Sequence, residues 1–138
     1  MKATAIFTPT TWDEKPYDQI GPSVKMTKAS VQFAVKGELE GVALVEYLMY
    51  YSDYDDRDPH KATASYIGLT RFKGTIHGKA GTFVTEDRGI FEAGTATTRS
   101  TIIAGSGTDD LHGIAGTALA SATHQGAKYD LEYSLKTR

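Results

Sequence analysis

Glu46 is the residue best placed to do chemistry. It lies between Leu44 and Leu48 in the apolar run from Val42 to Tyr51. A carboxylate among apolar side chains titrates high, so it can give or take a proton near neutral pH or orient a ligand's polar end. If Glu46 is buried, Arg71 or Arg99 on a neighbouring strand could instead pair with it as a structural ion pair. If its face points outward, it stands in water or at a subunit contact. A lumen site built around Glu46 would comprise Leu44, Leu48 and Tyr50 on the same face, Arg71 and Arg99, and the amphipathic rings of Trp12 and Tyr66. Such rings suit a flat or apolar ligand with a few polar atoms, and they equally suit a core.

Other chemistries find less support. His77 and His112 occupy equivalent positions in two similar segments, yet neither has a neighbouring ligand in sequence, so no metal site is expected. Asp53 to Asp58 resembles half a calcium loop but lacks its central Gly and closing Glu. Gly105-Ser106-Gly107 is followed by Asp109 and Asp110, which would repel a phosphate. No serine sits in a Gly-x-Ser-x-Gly elbow, and the chain has no Cys to serve as a nucleophile. Whether the chain is an enzyme stays open, and no cofactor is expected.

The elements that would position these residues are strands. Tyr129, Leu131, Tyr133 and Leu135 alternate with charged residues, and Ala29, Val31, Phe33 and Val35 alternate with Lys28, Ser30, Gln32 and Lys36. A period of two marks a strand with one wet face. Ser65 to Lys73 and Ala93 to Ile103 have the β-branched and aromatic content of strands. Val42 to Tyr51 is apolar on both faces, with Val42, Leu44, Glu46, Leu48 and Tyr50 on one and Ala43, Val45, Tyr47, Met49 and Tyr51 on the other. Asp13 to Thr27 and Ser52 to Lys61, broken by Pro and Gly or crowded with Asp, read as long loops.

A repeat supports this reading. Ile76-His77-Gly78-Lys79-Ala80-Gly81-Thr82 returns as Leu111-His112-Gly113-Ile114-Ala115-Gly116-Thr117, and more faintly as Leu39-Glu40-Gly41-Val42-Ala43. Each copy reads as the start of the returning strand of a hairpin. About eight strands then fit residues 1–138 as one all-β domain, an antiparallel closed barrel, with a Greek-key β-sandwich as the alternative.

Composition narrows the partners. The net charge of -2 and the lack of a Lys/Arg cluster argue against nucleic acid. The longest apolar run is too short to span a bilayer as a helix, and the N-terminus lacks a signal-peptide core, so no membrane partner is expected and the cytoplasm is the expected location.

Three blocks carry a resemblance: Trp12-Asp13-Glu14-Lys15-Pro16-Tyr17, Gly37-Glu38-Leu39-Glu40-Gly41 with Glu46-Tyr47-Leu48-Met49, and Ser106-Gly107-Thr108 leading into Leu111 to Gly116. They resemble a bacterial family known only as a domain of unknown function, with the barrel of plant allene oxide cyclase. The resemblance implies an eight-stranded barrel with a central cavity, and often an oligomer. It implies no reaction and no catalytic residues. The expectation is a barrel that binds a small hydrophobic or aromatic molecule in its lumen. A cofactor-independent isomerase or cyclase using Glu46, and a structural homo-oligomer, are the alternatives; a dimer is the favoured oligomer.

Overall fold

A computed structural model describes residues 1–58, 61–123 and 126–135. Eight strands run in chain order: β1 (Lys2–Gly21), β2 (Val24–Gly37), β3 (Leu39–Asp53), β4 (Thr63–Ile76), β5 (Lys79–Glu92), β6 (Thr95–Ile102), β7 (Ala115–Thr123) and β8 (Gly126–Ser134). Each pairs antiparallel with the next, and β8 pairs back with β1 to close a ring. Closure leaves the side chains that alternate inward to fill one lumen.

The ring is uneven in height. β8 meets β1 only from Lys2 to Phe7, whereas β1 continues to Gly21 with β2 as its one partner. Asp13 to Thr27 is therefore an overhanging hairpin, contrary to the loop expected from its Pro and Gly. Backbone pairing carries this hairpin, so its sequence needs no regular apolar face. Pro16 fits because the β8 side of β1 is an edge there. Register slips beside Pro9 and Pro16 absorb the two prolines. The slip between Pro9 and Thr11 also changes which residues face inward, from Ala3, Ala5 and Phe7 to Trp12, Glu14 and Pro16. The second expected loop is shorter than its sequence suggests, because Ser52 and Asp53 extend β3; Pro59 and His60 lie outside the described residues.

One end of the ring is plugged. The three repeat copies start there, and their leading residues Leu39, Ile76 and Leu111 are all but fully buried in one cluster with Phe72, Phe83 and Ile114. Leu111 comes from a one-turn 3-10 helix, Asp109–Leu111, between β6 and β7. Glycines in and beside these copies let backbones touch. Gly41, Gly74 and Gly81 pair across three adjacent strands. A Cβ on Gly41, whose φ is +153°, would stand 2.1 Å from the Lys73 carbonyl oxygen. The row thus lets three strands close tightly over the plug. His77-Gly78 and Ala93-Gly94 are the two-residue turns of the β4–β5 and β5–β6 hairpins, with φ positive at all four positions.

Candidate functional site

The other end is open. Above the plug lies a cavity of about 770 Å³, reached between the overhanging β1–β2 hairpin and the turns of the later strands. Its walls are aromatic. Phe7 and Tyr129 stack at 4.4 Å, and Tyr47 meets Tyr66 edge to face at 5.0 Å. Two glycines seat the tyrosines against the sheet. A Cβ on Gly68 would lie 2.7 Å from the Tyr47 ring, and one on Gly89 would lie 2.3 Å from the Tyr66 ring. Tyr66 is then fixed by a 2.5 Å hydrogen bond between its hydroxyl and Thr98 Oγ1.

Deep in this cavity is Asp87, on β5 between Gly68 of β4 and Ser100 of β6. It is 5% exposed. Its Oδ1 accepts hydrogen bonds from Thr85 Oγ1 at 2.8 Å and Ser100 Oγ at 2.6 Å, and its Oδ2 accepts one from Thr70 Oγ1 at 2.5 Å. Burial pushes the Asp87 carboxyl above the ordinary carboxylate range, and the three hydroxyl donors pull it part of the way back. Burial, followed by the Asp87 charge, likewise raises the Tyr47 and Tyr129 hydroxyls, so both remain protonated donors.

A second carboxylate stands at the mouth. Glu14 Oε2 accepts from Thr27 Oγ1 at 2.7 Å and from the Tyr51 hydroxyl at 2.5 Å, and Oε1 accepts from Trp12 Nε1 at 3.0 Å. Lys25 lies over the rings of Tyr51 and Tyr54, at 5.1 and 4.1 Å from their centres.

The expected lumen site divides. Trp12 and Tyr66 do line the cavity. Glu46, Leu44, Leu48 and Tyr50 do not, because that face of β3 is exposed and the opposite face, with Ala43, Val45 and Met49, is buried. The cause is register. Glu46 pairs with Ser30, which sits on the wet face of β2, so Glu46 shares that face. Its side chain is 57% exposed, accepts from Ser30 Oγ at 2.8 Å and lies 3.8 Å from Lys28 Nζ. Arg71 and Arg99 also point outward. Arg99 joins Glu46, Leu48, Ile67 and Leu69 in a second, outer groove of about 700 Å³.

Asp87 was missed because Thr85-Glu86-Asp87-Arg88 reads as a charged, solvated stretch. The available signal was phase: Asp87 keeps step with Phe83, Thr85, Gly89 and Phe91. The two conspicuous histidines do not meet. His77 turns toward Glu38, with Nε2 3.6 Å from Oε2, while exposed His112 belongs to the β6–β7 loop. Among the described residues no group of His, Asp and Glu could hold a metal ion. Among the described residues no helix is long and apolar enough to cross a membrane.

No curated protein matches the sequence. Among solved structures, a DUF3224 family protein of unknown function from Shewanella oneidensis MR-1 has the same fold, with a TM-score of 0.75 and 20% identity over 100% of this chain and 98% of that one. The family model described as "Protein of unknown function (DUF3224)" matches residues 3–133. With the match running from β1 to β8, the chain belongs to the DUF3224 family.

Proposed function

We propose that this protein is a container for a small hydrophobic or aromatic molecule, held in the lumen with a polar atom on Asp87. The observation that carries the reading is the aromatic-walled cavity of about 770 Å³ that runs down to a buried carboxylate. Drug-sized ligands occupy pockets of roughly 300–1,000 Å³ with a few convergent polar groups. In this reading the ring is a barrel of the allene oxide cyclase kind, and Asp87 takes the role the sequence suggested for Glu46. Native mass spectrometry of gently purified protein tests it. A stoichiometric small molecule, lost on denaturation and depleted in Asp87→Asn, is expected. A clean apo mass, together with no uptake of added naphthylmethanol, would overturn the reading.

The position of Asp87 favours one alternative, a cofactor-independent isomerase or cyclase. A carboxyl buried at the bottom of an apolar cavity and titrating above its usual range is suited to general acid–base work. Turnover of a bound molecule by the wild type, abolished in Asp87→Asn with binding retained, would select this reading.

A homodimer is proposed for the outer face of β3, β4 and β5, where Leu44, Leu48, Tyr50, Ile67, Leu69 and Ile90 are exposed. Glu46 and Glu86 stand among Arg88 and Arg99 in the same groove, so a two-fold copy can set acid against base. Sedimentation is expected to show a dimer that Leu48→Glu dissociates; a monomer at high concentration would sink this idea. The same charges interrupt the apolar band that a membrane-embedded ring would need, which supports a ring outside the membrane, with the cytoplasm as its proposed location.

A further inference from the structure

The charges that face the lumen are mostly of one sign. Glu14, Asp55, Asp56 and Asp87 line it, and Lys25 is the one cationic side chain among the described lining residues. Asp55 is held by Arg57, with Nε 3.2 Å from Oδ1. Lys25 is occupied at the mouth by two tyrosine rings. The deepest charged group is therefore Asp87, and no described cation lies beside it to receive an anionic head. A carboxylate offers about four acceptor positions. The hydroxyls of Thr85 and Ser100 take two on Oδ1, and Thr70 takes one on Oδ2. One position on Oδ2 is left for a ligand. Tyrosine and phenylalanine rings surround the space above, and ring faces attract organic cations, most strongly where water is excluded.

Resting on the lumen-binding reading, we propose that the occupant is a compact organic cation, an ammonium on an apolar or aromatic frame. Its nitrogen is directed at Asp87 Oδ2 and its body packs between Tyr47, Tyr66 and Tyr129. A fatty acid or another anionic ligand would bring like charge to Asp87 and Glu14. A neutral ligand would fill the same space but leave the carboxylates uncompensated.

Calorimetric titration with three probes of one shape separates these cases: naphthylmethylammonium, naphthylmethanol and naphthoate. The ammonium is expected to bind about tenfold tighter than the alcohol, as one desolvated charged hydrogen bond allows, and naphthoate not to bind. Asp87→Asn is expected to bring the ammonium to within about twofold of the alcohol. Should that variant fail to fold, Glu14→Gln at the mouth is expected to lower the ratio of ammonium to alcohol affinity, and an unchanged ratio would count against the inference. An alcohol that binds as tightly as the ammonium, or naphthoate binding best, would overturn the cation inference and leave lumen binding standing. If none of the three binds, and Trp12 fluorescence is unmoved by all of them, lumen binding fails as well.

Discussion

Replacing Asp87 by Asn removes a charge from the lumen and preserves its shape. The Asn carbonyl can still accept from Thr85 and Ser100, and its amide can donate to a rotated Thr70 hydroxyl. In the unfolded chain the Asp87 carboxyl ionises around its ordinary 3.8, and in the fold it ionises higher. Folding is therefore unpenalised below 3.8 and loses stability as pH rises through the raised folded value. For each pH unit between the two states the loss is about 1.4 kcal/mol. With 138 residues, unfolding entropy is about 0.3 kcal/mol per degree, so each such unit lowers Tm by ~5 °C. Scanning calorimetry of wild type and Asp87→Asn from acid to neutral pH measures the difference. The variant is expected to match the wild type or trail it slightly in acid, to gain on it as pH rises, and then to run parallel. A variant that loses ground as pH rises would mean that the three hydroxyls hold the carboxylate more strongly than burial repels it. That would refute the reasoning.

Three further outcomes are expected. Gly89→Ala drives a Cβ into the Tyr66 ring, so it should destabilise by about 1–3 kcal/mol in urea unfolding and displace that ring into the cavity. Phe72→Ala in the plug should cost about 3–5 kcal/mol and lower Tm by ~10 °C or more in calorimetry. Glu46→Gln loses only an exposed ion pair, so unfolding midpoints should shift by less than about 0.5 kcal/mol and probe binding should be unchanged.

Strand chemistry was legible wherever one face is wet and the other dry. The two alternations fall largely as expected, with Ala29, Val31, Val35, Tyr129, Leu131 and Tyr133 buried and Lys28, Gln32, Lys36, Lys128, Asp130 and Glu132 exposed, while half-buried Leu135 lies just past the end of β8. The repeat also marked real positions, since its copies lie at the starts of β3, β5 and β7 and plug one end. The overhanging hairpin was illegible because it buries little, and backbone pairing leaves no side-chain period to read. The site was illegible for a different reason. Val42 to Tyr51 is apolar on both faces, so composition could not orient Glu46. Only the pairing of Glu46 with Ser30 does so, and register is a non-local property. Asp87 was hidden by its charged neighbours Glu86 and Arg88, which point outward on the same strand.

The central claim is that a small molecule enters the lumen, and the methionine methyl groups report on it directly. Met49 lines the cavity, while Met1 is 63% exposed and does not. In a carbon–proton correlation spectrum, added naphthylmethylammonium or naphthylmethanol should move the Met49 methyl signal through the ring current of the bound probe and leave Met1 in place. A Met49 signal that stays fixed at saturating concentrations of both probes would contradict the account.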